Sequence, residues 1–157
     1  MRAVRPILAG GSIAGTLDLL AAFAIGAGFG SSPARVLQGI ATGLLGAAAF
    51  DGGARAAALG LACHFVIAFG AAAVYYAASR LVPSLARRPL AFGALYGIVV
   101  YAVMAFVVVP LSKAAPRSTA WYMVLTMIVV HVACVGVPIA LATSRAPSRP
   151  IAVPATS

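Results

Sequence analysis

Hydrophobic residues form four long stretches along the chain, and most charged residues lie between them. The stretches cover residues 6–30, 54–79, 90–110 and 120–142. A hydrocarbon core of about 30 Å requires roughly 20 helical residues, so each stretch is long enough to span a bilayer. Pro, Gly and Ser residues follow the stretches, as is typical of turns. The pattern predicts an all-α, polytopic membrane protein with four transmembrane helices.

The segment between the first two stretches has a different, amphipathic pattern. Ser32 is a suitable N-cap, and Pro33 suits the first turn of a helix. At about 100° per residue, most apolar side chains of residues 33–46 fall on one side, and the polar and glycine residues fall on the other. A helix of about three turns is too short to span the bilayer, so we predict a short interfacial helix here. It is either a surface-lying linker or a lid over a substrate path.

Residues 1–145 are predicted to form one four-helix membrane domain. The tail at residues 146–157 is rich in Pro and Ser and has no periodicity, so we predict that it is disordered. Arg2 and Arg5 before an apolar stretch resemble the start of a secretory signal. The stretch is longer than a signal and contains Asp18, and we therefore expect a retained first helix.

Composition and charge agree with a membrane protein whose partner is the lipid bilayer. Hydrophobic residues make up 63% of the chain and charged residues 8%, and the mean hydropathy is +1.07, outside the range of soluble domains. The net charge of +9 comes from scattered Lys and Arg, without the basic patches that bind nucleic acid. Cys63 and Cys134 lie inside apolar stretches and are predicted to be free.

The basic residues also predict the orientation of the chain. With four spans, seven of the eleven Lys and Arg residues fall on the side of the N-terminus, the second connection and the tail, and four fall on the other side. Cytoplasmic loops carry the excess of positive charge. Both termini are therefore predicted to be cytoplasmic.

Each predicted span has one face that carries small or polar residues. Asp18 shares such a face with Gly15 in the first span, His64 and Tyr75 share one in the second, and His131 lies on one in the fourth. At about 1.5 Å per residue, the carboxylate and both histidines lie at similar depth near the bilayer midplane, and Tyr75 lies about three turns nearer the cytoplasm. We predict an intramembrane polar cluster of these four: Asp18, His64, His131 and Tyr75.

The cluster has two interpretations, and both start from the free-energy cost of a charge at this depth. A charged, unpaired side chain near the midplane costs at least ~2.5 to 3.5 kcal/mol on insertion scales, so Asp18 is predicted to be protonated or paired. One interpretation is a proton or small-solute pathway, because imidazole exchanges protons between about pH 5 and 8. The other is a hydrogen-bonded set of side chains that only fixes helix packing.

Motifs for catalysis, nucleotide binding and redox chemistry are missing from the chain. It has no G-x-S-x-G, no H-E-x-x-H and no glycine-rich phosphate loop, so we predict neither an enzyme nor a cofactor. Asp18, His64 and His131 come from three different spans and lack the local spacing of metal ligands. We therefore predict no metal site.

A series of landmarks from His64 to Pro138 resembles the YagU-like family of small bacterial inner-membrane proteins. They are His64 with Phe65, Tyr75, Pro83, Gly93, Tyr96 with Gly97, Met104, Pro110 with Leu111, His131 and Pro138. The resemblance covers about half of the chain. It implies a bacterial inner-membrane location and a role for the two histidines, with no defined substrate or cofactor. Where that family carries an acidic residue one turn before the last histidine, this chain has Met127.

Two classes of function follow. The first is a proton- or small-solute-handling membrane protein built around Asp18, His64 and His131. The second is a structural or accessory membrane subunit whose polar cluster only fixes helix packing. A homo-oligomer or a second membrane subunit fits either class, because four short spans enclose little room and glycine-rich faces suit close helix association.

Overall fold

The computed structural model describes residues 4–115 and 120–145, and all regular elements in these ranges are helical. The helices are α1 (Val4–Gly28), α2 (Pro33–Leu45), α3 (Gly53–Leu81), α4 (Ser84–Arg87), α5 (Pro89–Leu111) and α6 (Trp121–Ser144). A short 3₁₀ segment, Gly46–Phe50, follows α2. Two π-helical segments, Met104–Val108 and His131–Gly136, interrupt α5 and α6.

The four long helices confirm the prediction of an all-α protein. Helices α1, α3, α5 and α6 are each long and apolar enough to cross a membrane, which indicates a membrane protein. Their bounds agree with the four predicted stretches to within a few residues at most ends. The predicted disorder of residues 146–157 lies outside the described residues.

The long helices form an open ring in the order α3, α1, α6, α5. Each member of this series packs on the next over part of its length, whereas the backbones of α3 and α5 scarcely approach each other. Neighbours are antiparallel, so α2 lies at one end of the bundle and α4 at the other. We call the corresponding parts of the bundle the α2 half and the α4 half.

The packed core lies in the α4 half. Its buried residues come from α1, α3 and α6: Ala14, Ala72, Tyr75, Val135, Ile139 and Ala140. The backbones of α5 and α6 touch there at Gly97 and Gly136. They are so close that a Cβ on Gly136 would collide with the carbonyl oxygen of Gly93. Such close approach requires glycine, and it locks this part of the bundle.

Helix α2 begins as its sequence predicts but packs through an unexpected face. The Ser32 side chain accepts a hydrogen bond from the Arg35 amide at 3.3 Å, and Pro33 occupies the first turn. The buried side chains are Gln38, Ala41 and Thr42, mostly from the polar side of the predicted wheel. The Gln38 amide donates to the Gly53 carbonyl at 3.1 Å, so its burial leaves no lost hydrogen bond.

The close contact between α2 and α3 depends on a glycine of α3. A Cβ on Gly60 would collide with the Leu37 carbonyl, whereas a Cβ on Gly39 of α2 would meet nothing within 4 Å. The glycine that this contact requires is therefore on α3. This contact fixes α2 across the open end of the bundle.

Candidate functional site

A cavity of about 1050 Å³ fills the α2 half of the bundle. It exists because α3 and α5 separate there, while α1 and α6 form its rear wall. Most of its lining is aliphatic, and its rim at the α2 end includes Thr42, Ser112 and Lys113. The Lys113 backbone amide donates to the Gly43 carbonyl at 3.0 Å. That bond ties the end of α5 to α2 at the rim.

Two tyrosines lie just beyond the lining of the cavity on its α4 side. The lining ends at Ala71 and Val100, and the Tyr96 hydroxyl donates to the Ala71 carbonyl at 2.7 Å. The ring of Tyr75 packs against that of Tyr96 with centroids 4.9 Å apart. This pair bridges α3 and α5 at the level where the cavity stops, and we call it the floor.

Both helices on the α5–α6 side change their winding beside the cavity. The π segment of α5 ends two residues before Pro110, and that of α6 ends two residues before Pro138. Proline has no N–H to donate to the preceding turn, and a wider turn accommodates the missing bond. Single π turns of this kind are frequent at functional sites. Met104 and His131, the first residues of the two segments, both line the cavity.

The structure brings three of the four predicted cluster residues to one cavity. Asp18 from α1, His64 from α3 and His131 from α6 all line it. Tyr75 does not line the cavity: its side chain is buried, and its hydroxyl donates to the Leu85 carbonyl in α4 at 2.9 Å. The predicted cluster therefore divides into a cavity group and a floor residue.

Both histidines bond to backbone carbonyls. His64 Nε2 lies 2.8 Å from the Gly15 carbonyl oxygen, and His131 Nδ1 lies 2.8 Å from that of Met127. Because a carbonyl oxygen only accepts, each of these ring nitrogens carries the hydrogen. The remaining nitrogens, Nδ1 of His64 and Nε2 of His131, are then the acceptors of the neutral rings.

Neighbouring aromatic rings hold the two imidazoles in place. The His131 ring meets the Tyr101 ring edge to face at 5.6 Å, and the His64 ring meets that of Phe65 at 5.5 Å. His131 is buried and His64 is half-buried. These contacts fix the orientation of each ring, and the second nitrogen of each ring has no hydrogen bond to the described residues.

Asp18 has no hydrogen bond or ion pair within residues 4–115 and 120–145. It is half-buried, and the Cys134 thiol lies within electrostatic range of its carboxylate. Pairing of Asp18, one of its two predicted states, does not occur among these residues, and the hydrogen bonds of both histidines go to backbone carbonyls. The carboxylate lines the cavity without a partner.

Several residues of the site were not among the predicted cluster residues. Tyr96 forms the floor, and Ser112 and Lys113 form the rim at the end of α5. A signal for Tyr96 exists, since it shares a stripe of the third span with Gly93 and Gly97. The rim residues carry no signal of their own because their position depends on the contact between α2 and α5.

Metal binding has no geometric support among the described residues. No three His, Cys, Asp or Glu side chains within residues 4–115 and 120–145 are placed to hold a metal ion. Cys63 and Cys134 are free thiols.

Comparison with protein-family models, curated proteins and solved structures finds no match. The YagU-like resemblance therefore stays a prediction.

Proposed function

We propose that this chain is a multi-pass protein of the bacterial inner membrane that moves protons or a small solute through the cavity of its α2 half. One observation carries the proposal: Asp18, His64 and His131, from three separate helices, line the same cavity. The chain has two histidines and two acidic residues in all. Both histidines and one of the acids are therefore gathered in an otherwise apolar space.

The chemistry of these groups suits proton exchange. Each neutral imidazole directs its N–H to a backbone carbonyl and keeps its other nitrogen as a proton acceptor. The Asp18 carboxylate lines the same cavity and is a third proton acceptor. The cavity group thus exchanges protons without breaking the hydrogen bonds that hold its rings.

Transport requires that the cavity open alternately toward the two ends of the bundle. The floor closes it toward the α4 half with two tyrosine hydroxyls, each bonded to one backbone carbonyl. Such bonds are weak enough, at about 1 kcal/mol each, to break during a conformational change. We propose the floor as the inner gate and α2 as the structure that shapes the outer opening.

The proposed placement in the membrane has α2 at the outer interface and α4 at the cytoplasmic one. Arg80, Arg87 and Arg88 lie at the α4 end, in keeping with the excess of positive charge on cytoplasmic loops. Labelling single cysteines at Ser84 and Ser112 in a Cys-free background tests this orientation. Opposite sidedness of the two positions supports it, and equal labelling from one side contradicts it.

The functional test is reconstitution of the full chain in liposomes that contain a pH-sensitive dye. Under an imposed proton gradient, the wild type should dissipate the gradient faster than empty liposomes. Asp18→Asn and His131→Ala should abolish this flux. The control is Asp51→Asn, because Asp51 is the other carboxylate of the chain and does not line the cavity. Wild-type flux equal to that of empty liposomes would reject the proposal.

The accessory-subunit alternative has one supporting observation. Ser12 and Thr16 lie one turn apart on the exposed side of α1, and Gly70 of α3 is exposed, with open space where a Cβ would lie. Small residues on an outer face allow a further helix to approach closely. If this alternative holds, Ser12→Leu should release a co-purifying membrane subunit while leaving the thermal stability of the chain unchanged.

A further inference from the structure

The cavity opens sideways, through the gap between α3 and α5. Val66 and Ile67 of α3 line the cavity and are 70% and 39% exposed. A closed bundle would bury residues that line its interior. The gap is bridged at the floor, where Tyr96 reaches Ala71. In the proposed placement this opening faces the acyl chains, so a molecule dissolved in the bilayer enters without passing through water.

The size and walls of the cavity select an apolar molecule. The cavity volume of about 1050 Å³ is slightly above the ~300–1,000 Å³ typical of sites for drug-sized ligands. Its walls between α3, α5 and α6 consist largely of Val, Ile, Met and Ala side chains. An apolar group that contacts these walls would remove much of its own apolar surface from water, which favours binding.

The charges of the cavity select a positive ligand. Asp18 is the one carboxylate that lines it, and it has no partner within the described residues. The cationic side chain at the lining is that of Lys113, which is exposed at the rim. An unpaired carboxylate in an apolar site is costly, and a cation that fits the cavity removes this cost.

We propose that the cavity binds a lipophilic cation, an amine or onium ion with apolar substituents, with its positive centre against Asp18 and its substituents against the aliphatic walls. This assignment rests on the proposed function and names the solute class of the same site. Protons and the cation then compete for one carboxylate, so that binding of one favours release of the other.

Protonation of the carboxylate or of either imidazole lowers the affinity for a cation. The titratable and charged groups around Asp18 are Cys63 and His64 of α3, His131 of α6 and Lys113 after α5, which line the cavity, and the Cys134 thiol, which lies within electrostatic range. A protonated carboxyl group loses its attraction, and a protonated imidazole repels the ligand. The affinity should therefore fall as the pH is lowered, whereas that of a neutral ligand of the same shape should stay constant.

The test is equilibrium binding of tetraphenylphosphonium to the purified full chain in detergent, with neutral triphenylphosphine oxide as the comparison ligand. Asp18→Asn should weaken binding of the cation by about tenfold or more and leave the neutral ligand unaffected. Asp51→Asn should change neither. Ala62 of α3 lines the cavity. Ala62→Phe should narrow the cavity and weaken the binding of both ligands, which would locate their site.

The outcomes separate this inference from the proposed function. Saturable cation binding that depends on Asp18 and weakens at low pH supports the ligand class, even if liposomes show no proton flux. Equal affinity for the cation and the neutral ligand, or full cation affinity in Asp18→Asn, overturns the ligand class, even if proton flux is present. Gel filtration and circular dichroism of each variant establish that it is folded. The pH dependence of wild-type binding needs no variant.

Discussion

The α4 half and the α2 half of the bundle consist of the same four long helices but pack in opposite ways. In the α4 half the helix backbones touch at Gly97 and Gly136, and Tyr75 and Ile139 are 1% and 0% exposed. In the α2 half α3 and α5 separate around a cavity lined by Asp18, which has no partner among the residues that the structure describes. One half is therefore closely packed, and the other contains the open space in which the proposed function is placed.

This division explains why the unusual features of the molecule lie together. Close glycine contacts define the spacing of α5 and α6 up to Gly97, and the π segment of α6 begins at the same level, at His131. Beyond that level α5 also becomes π-helical, from Met104. The change of winding begins at these contacts and continues beside the cavity, which Met104 and His131 both line.

The largest predicted effect comes from adding one methyl group to the α4 half. In Gly136→Ala, the new Cβ collides with backbone atoms of Gly93 and Gly97, which cannot move without separating α5 from α6. We expect a loss of about 3 kcal/mol in the free energy of unfolding, measured by denaturant unfolding in detergent.

The matched control for this change is Gly70→Ala on the outer face of α3. A Cβ there meets nothing within 4 Å, so the variant should keep or gain stability, by at most about 1 kcal/mol from the better helix propensity of Ala. If the two variants behave alike, the contrast between the halves is wrong.

An intermediate effect is expected at the floor between the halves. Tyr96→Phe removes the hydroxyl bond to Ala71 but keeps the ring that packs on Tyr75, so the free energy of unfolding should fall by only about 1 kcal/mol. In Ala71→Cys, the introduced thiol should react faster with a water-soluble thiol reagent when Tyr96→Phe is also present. Unchanged reactivity would show that the hydroxyl bond does not close the cavity.

The smallest effect on stability is predicted for the cavity group. Asp18 has no partner to lose, so Asp18→Asn and Asp18→Leu should each leave the free energy of unfolding within about 0.5 kcal/mol of the wild type, or raise it. Thermal unfolding of the two variants in detergent measures this. A loss above about 1 kcal/mol in either would mean that Asp18 holds the helices together, as the accessory-subunit alternative requires.

The fold was predictable because span length and hydropathy are local properties of the sequence. The four apolar stretches, and the cap formed by Ser32 and Pro33 at the start of α2, each act within a few residues. The packing face of α2 was not predictable, because it depends on Gly60 in another helix. A helical wheel describes one helix and contains no information about the groove that receives it.

The site was predictable to the extent that depth and face determine it. Those two properties placed Asp18, His64 and His131 together, and the structure puts all three on one cavity. They could not show that the histidines bond to backbone carbonyls. Every residue has a backbone carbonyl, so the sequence carries no signal for such a partner. They also could not show that Tyr75 belongs to the floor and not to the cavity group, because its partner Leu85 belongs to the connection between two spans.

The central claim is that Asp18 is an accessible, unpartnered carboxyl group in an apolar cavity. The most direct measurement is modification of the folded chain by dicyclohexylcarbodiimide, a lipophilic reagent for protonated carboxyl groups, with the adducts located by mass spectrometry. We expect a stable adduct on Asp18, which should form more slowly when tetraphenylphosphonium is present. We expect little adduct on the water-exposed Asp51. An Asp18 that reacts only after denaturation, with Asp51 modified equally in both states, would contradict the account.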